Sequence, residues 1–178
     1  MTARDDFNDM DELLQTFTSE GQELLDEVEP RLIELQEKTD VDGQVDGEVL
    51  NSIFRIFHTI KGSAGFLELN NLQEVTHEAE TLLDYYRKGN LTPNPEQISL
   101  LLQTTDFIRT LLGNIEKYMH DKGFEIEKER MVKTLSAVIS GKPVDARPEA
   151  HAATAGKGPK APGDIPIAPS EPVSGSIT

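Results

Sequence analysis

Apolar residues recur at intervals of three and four over most of the first 140 positions, the mark of helices that each bury one face. The first stripe is Met10, Leu13, Leu14, Phe17, Leu24, Leu25, Val28, Leu32 and Leu35, and it predicts a helix from about Asp9 to Glu37. Gly21 fills one turn of that stripe. Pro30 removes a backbone donor and crowds the preceding turn, so a kink or break is expected near Glu29. The stripe keeps its phase across the proline, which favours a kink over a new direction. Residues 39–47, T-D-V-D-G-Q-V-D-G, read as a polar loop. Their D-x-D-G lacks the glutamate at position 12 and the ligand spacing of a calcium loop, so a turn is the expectation.

A second helix is predicted from Gly47 to Phe66 with Asp46 as its cap. A third begins at Asn70 or Asn71, where Gln73 or Glu74 could complete a capping box. Its stripe is Leu72, Val75, Ala79, Leu82, Leu83 and Tyr86, and Gly89 stops it. Asn94 caps the fourth, with Pro95 at its first position and a stripe from Ile98 to Ile115 that carries the helix to about Met119. Gly123 interrupts, and a weaker fifth helix spans roughly Glu125 to Ser140 before Gly141 and Pro143. No alternating strand pattern competes. The expected fold is all-α: an up-down-up-down antiparallel four-helix bundle with an additional fifth, C-terminal helix.

Composition divides the chain at residue 141. Seven of the ten prolines fall in residues 142–178, a stretch without any aromatic residue. Such a segment buries too little to offset the entropy of ordering, so it is expected to be a disordered linker, with residues 1–141 as the folded domain. Linkers of this length join domains, and the chain is expected to be the N-terminal piece of a larger protein. The net charge is −15, and residues 1–141, with 28 acidic and 13 basic side chains, carry all of it. An acidic domain lacks the positive footprint that nucleic acid or an anionic membrane requires. There is no cysteine, which excludes disulfide and thiolate chemistry. The start, M-T-A-R-D-D-F, has no apolar signal-peptide core, and no run of 18 apolar residues exists, so a cytoplasmic location is expected.

The chemistry concentrates in residues 54–66, F-R-I-F-H-T-I-K-G-S-A-G-F. At about 100° per residue, Ile53, Phe57, Ile60 and Ala64 gather roughly 130° from His58. Lys61, Gly62 and Gly65 fall within about 60° of it. The histidine thus stands off the apolar stripe, beside a cation and two positions without a Cβ. Each glycine costs a helix interior about 0.5–1 kcal/mol, so two on this face suggest a surface that a partner approaches closely.

H-T-I-K-G-S-A-G-F resembles the phosphoacceptor motif of histidine-containing phosphotransfer (HPt) domains, most closely the N-terminal P1 domain of CheA-type chemotaxis histidine kinases. T-H-E-A-E at Thr76–Glu80 continues the likeness on the next helix. H-x-x-K-G alone is a weak signal; with the later His-x-x-Glu and the helix layout it becomes fairly specific. The resemblance implies that His58 accepts phosphate at Nε2 and that Glu80 holds Nδ1. It also implies that Lys61 stabilises the phosphoryl group, that His77 adds a supporting hydrogen bond, and that Gly62 and Gly65 give a partner access. His77 and Glu80 share a helix face one turn apart, and adjacent helices lie about 8–10 Å apart, so these four side chains could form one cluster. Attack on phosphorus needs a neutral imidazole with a free lone pair. A carboxylate on the opposite N–H fixes that tautomer and raises the nucleophilicity of the free nitrogen.

A metal site built from His58, His77 and Glu80 is chemically admissible but disfavoured by Lys61 beside it. The sequence has no Gly-rich nucleotide loop, no P-loop and no receiver aspartate cluster. It is therefore expected to hold no cofactor and to perform no catalysis alone. ATP and Mg²⁺ are expected on a separate histidine kinase catalytic domain, and Mg²⁺ on the response-regulator receiver that takes the phosphoryl group onward. The domain is expected to be monomeric. The alternatives are a non-catalytic acidic helical adaptor, with the histidine incidental, and a stand-alone HPt intermediate of a multistep phosphorelay.

Overall fold

A computed structural model describes residues 3–42 and 45–141 of the 178-residue chain. The expected linker, 142–178, lies outside the described residues. Six helical segments follow in order: α1 (Ala3–Asp26), α2 (Val28–Asp42), α3 (Gly47–Phe66), α4 (Asn70–Arg87), α5 (Pro95–Tyr118) and α6 (Glu125–Ile139). The stripe read as one kinked helix is two helices, broken at Glu27 rather than Glu29. Pro30 is the third residue of α2. It offers no N–H to the carbonyl of Asp26 and its ring crowds that group, so the break falls one turn ahead of the proline. Leu25, Val28, Leu32 and Leu35 are all fully buried, so the stripe passes through the break with its spacing intact.

The α1/α2 arm, α3, α4 and α5 form an antiparallel four-helix bundle. Leu25, Leu32, Leu50, Phe57, Leu72, Leu83, Leu101 and Ile115 belong to one continuous core. Gly21 is buried where α1 crosses α5; a Cβ there would sit 2.9 Å from Leu112 Cδ1. The glycine in the stripe is therefore what lets these two helices approach. Among the described residues there is no strand, and no helix is long and apolar enough to cross a membrane.

The added helix, α6, lies along α4. Leu135 and Val138 are buried, Lys128 Nζ pairs with Glu74 at 2.5 Å, and Ser136 Oγ donates to Glu78 at 2.9 Å. These contacts cover the side of α4 turned from α3. The interhelical face shared by α3 and α4 stays uncovered at His58, which is 62% exposed.

The caps show where local and distant signals act. Asp46 Oδ1 accepts from the backbone N–H of Glu48 and Val49, and its Oδ2 holds Lys38 at 2.6 Å. Asn94 and Gln97 form a full capping box at the start of α5. The capping box expected for the third helix does not form. Leu69 stands at the cap position without a side-chain hydrogen bond, and Asp121, from the turn after α5, supplies the cap instead. Its Oδ2 accepts from the N–H of Asn71 at 2.7 Å and of Leu72 at 3.1 Å.

Candidate functional site

α3 and α4 run antiparallel with only a short turn, 67–69, between them, so early residues of one helix lie level with late residues of the other. Asp46 fixes the start of α3, and Ile53, Phe57, Ile60 and Ala64 seat its apolar side. His58 is thereby turned to the α4 flank. On α4, Val75, Ala79, Leu82 and Leu83 are buried, which rotates Glu80 to the margin facing α3.

Three of the residues singled out from the sequence meet there. His58 Nδ1 lies 3.0 Å from Glu80 Oε1. Lys61 Nζ lies 2.7 Å from Glu80 Oε2. The lysine sits off the direction of a hydrogen bond, so the buried Oε2 is balanced by charge without a well-directed donor. The Glu80 side chain is only 12% exposed and the Lys61 side chain 24%. Burial alone would raise the carboxyl pKa, but the Lys61 ammonium and the His58 ring nitrogen beside it outweigh that and leave the pKa lowered. Glu80 is therefore an anion throughout the physiological range, held half out of water, and its natural partner is an N–H. That selects the His58 tautomer with hydrogen on Nδ1 and a free lone pair on Nε2.

Lys61 is engaged with Glu80 rather than reaching past the imidazole. In this geometry it acts first by keeping the carboxylate ionised. His77 is exposed, and the contacts within the cluster join His58, Lys61 and Glu80 without its ring. Without His77 in the cluster, no group of three His, Asp, Glu or Cys among the described residues is placed to hold a metal ion.

The two glycines differ. Gly62 is exposed, and a Cβ there would meet nothing within 4 Å. A Cβ at Gly65 would stand 2.6 Å from Gln73 Nε2, the tip of an exposed, flexible side chain on α4. Beside Gly62 lies a shallow groove of about 280 Å³ between α1 and α3, lined by Leu13, Phe17, Ser63 and Phe66 among others. Phe66 is 79% exposed at its rim.

One neighbour of the imidazole has no role in the sequence reading. Phe54, one turn before His58, stacks on it with ring centroids 5.9 Å apart and planes 15° from parallel. The i−4 spacing of an aromatic residue from the histidine was visible in the sequence and would have signalled this contact.

Comparison with known proteins agrees with this geometry. The Hpt domain family matches residues 12–118, more than half of the chain. The sensor histidine kinase CheAY of Helicobacter pylori is 36% identical over 135 residues, covering 75% of this chain and 16% of that protein. The chemotaxis protein CheA of Salmonella typhimurium is 41% identical over 104 residues, covering 58% of this chain and 15% of CheA. The chain thus spans less than a fifth of these curated relatives. Among solved structures, the phosphorylated P1 domain of CheA3 in complex with CheY6 from R. sphaeroides matches with a TM-score of 0.65 at 23% identity. That match covers 75% of this chain and 99% of the other. With the helix order, the uncovered His58 and the carboxylate on its Nδ1 already in view, the family is shown: this chain belongs to the Hpt domain family.

Proposed function

We propose that this chain is the phosphotransfer module of a CheA-type histidine kinase, with His58 as the phosphoacceptor. The observation that carries the reading is the pairing of a part-buried carboxylate with Nδ1 of a histidine whose side chain is largely open to solvent. Attack by the Nε2 lone pair on the terminal phosphorus of ATP forms an N–P bond and breaks the P–O bond, whose electron pair leaves with ADP. The proton on Nδ1 stays in place, and Glu80 stabilises the positive charge that grows on the ring. In the onward step a receiver aspartate oxygen attacks the same phosphorus. The N–P bond then breaks and its electron pair returns to Nε2.

ATP and Mg²⁺ belong to a separate kinase core on this reading, and Mg²⁺ to the receiver; this chain supplies the nucleophile and its setting. The exchange is assigned to the cytoplasm, where ATP is available, and to a monomeric domain. Its acidic surface makes nucleic acid and anionic membranes poor partners.

The test is incubation of the chain with ATP, Mg²⁺ and the kinase core of Salmonella CheA, followed by addition of a CheY receiver. Acid-labile, base-stable phosphate on His58 that drains to the receiver is expected. A core that phosphorylates its own P1 domain yet leaves His58 bare would sink the proposal.

Gly62 supplies a second check, because it opens the helix face between His58 and the apolar groove. Gly62→Leu should leave the domain as stable or more stable by up to about 1 kcal/mol, since a Cβ there meets nothing within 4 Å and leucine favours a helix. It should nonetheless slow phosphoryl exchange with the receiver by steric exclusion. Wild-type exchange kinetics in the folded variant would show that nothing docks close to this face.

A further inference from the structure

We infer that Phe54 and Arg87 are positioning residues for the phosphoacceptor: the Arg87 guanidinium clamps the Phe54 ring, and Phe54 in turn fixes the plane of the His58 imidazole. This rests on reading His58 as the acceptor.

Arg87 Cζ lies 4.0 Å from the centroid of Phe54, well inside the roughly 6 Å range of a cation–π contact. Phe54 is half-buried between the two helices and stacks on His58. The antiparallel register sets the order of the three groups. His58 is level with Glu80, so one turn back along α3 to Phe54 corresponds to one turn forward along α4, and Arg87 lies two turns beyond Glu80. The arginine thus reaches Phe54 from the end away from His58. Asp84 Oδ1 lies 3.7 Å from Arg87 Nη1 on the same helix, within charge attraction but beyond hydrogen-bond range.

The stack supplies what the carboxylate cannot. One hydrogen bond from Nδ1 fixes which edge of the ring faces α4, yet leaves the ring free to swing about that contact. Stacking against Phe54 restricts the swing, so that the Nε2 lone pair keeps one direction in space. Correct direction is a large part of what a bound nucleophile gains over a free one. Direct charge stabilisation by Arg87 is minor. The two spacings, 4.0 and 5.9 Å, with Arg87 on the far side of Phe54, put its guanidinium up to about a Debye length from the imidazole near exposed surface, where salt screens it.

The experiment uses the full chain with three substitutions: Arg87→Gln, Arg87→Lys and Phe54→Leu. Two readouts are taken after circular dichroism and amide spectra show a folded protein. The first is the ring-current shift of the His58 Hδ2 and Hε1 protons, which a stacked Phe54 moves upfield. The second is phosphorylation by the Salmonella CheA kinase core, resolved into kcat and KM. Arg87→Gln should lose much of the upfield shift and lower kcat about two- to tenfold, the factor that corresponds to an aromatic pair, with KM unchanged. Arg87→Lys should retain both signals, because it keeps a cation at the same place. Phe54→Leu should abolish the shift and lower kcat at least as far as Arg87→Gln. Wild-type kcat in folded Phe54→Leu, or in Arg87→Gln whatever its ring-current shift, would overturn the inference. Failure of the wild-type chain to take phosphate at all would instead overturn the functional reading, and the ring-current arm would still report whether Arg87 holds the stack.

Discussion

Replacing Glu80 with alanine should slow phosphorylation of His58 by a kinase core about tenfold to a hundredfold. General base and orienting groups contribute more, up to about 10⁴-fold, when they move the transferred proton themselves. Here no proton leaves during attack, so the carboxylate acts by orientation, tautomer selection and charge. The geometry supports all three roles, with Oε1 3.0 Å from Nδ1 and Oε2 paired to Lys61. Glu80→Gln keeps an acceptor but loses the charge, and should fall between wild type and alanine. Folding should change by no more than about 1 kcal/mol, because Glu80 stands outside the apolar core and Lys61 can turn to water once freed. The pH dependence has a defined sign. The Glu80 pKa is lowered in the folded state, so its contribution is full above the ordinary carboxylate range and is lost as pH falls through the depressed value. Glu80→Gln should therefore differ from wild type in melting temperature at neutral pH and converge with it in acid. The measurement is single-turnover phosphorylation beside NMR assignment of the His58 tautomer. A wild-type rate in Glu80→Ala, with the tautomer unaltered, would reduce Glu80 to a structural charge.

Periodicity made the fold legible because every bundle helix buries one side and wets the other. The stripes from Leu14 through Ile115 match the buried residues closely, and the local caps Asp46 and Asn94 act where their sequence neighbours suggest. The same reasoning put His58 and Glu80 off their stripes, and their meeting then followed from antiparallel packing. What failed was of two kinds. Pro30 was located correctly as a disruption, but its effect lies at the carbonyl one turn earlier, so the break appears at Glu27. The rest depended on distance. Gly65 shares a helix side with Gly62, yet only at Gly65 does the tip of Gln73 from the next helix come close. His77 shares a face with Glu80, yet of the two only Glu80 is joined to His58. Arg87 lies 33 positions from Phe54 in sequence, and only the pairing of α3 with α4 brings them together.

Asp121→Ala should destabilise the domain by about 2–3 kcal/mol, lowering the melting temperature by roughly 10 °C. The turn after α5 places this carboxylate at the start of α4, where Oδ2 accepts from the N–H groups of Asn71 and Leu72. The first turn of a helix has backbone donors without intrahelical partners, and the helix dipole favours a negative charge there. Leu69, at the cap position, has no oxygen to offer them. Asp121 is itself only 6% exposed, so water cannot simply replace the lost acceptor. Removing it leaves the buried N–H of Leu72 and the part-buried N–H of Asn71 unpaired, and that is costlier than losing an exposed cap. Asn71 Nδ2 also donates to the Asp121 carbonyl at 2.8 Å, so the backbone of the turn would stay tethered and the damage would centre on the side chain. Asp121→Asn keeps one acceptor without the charge, and should lose about half as much stability. Near 20 °C, where the variant remains folded, His58 should accept phosphate at close to the wild-type rate, because Glu80 lies more than two turns along α4 from the damaged end. Thermal unfolding followed by circular dichroism, paired with the phosphorylation assay, separates the two effects. A melt unchanged within about 2 °C would show that α4 begins well without this distant cap.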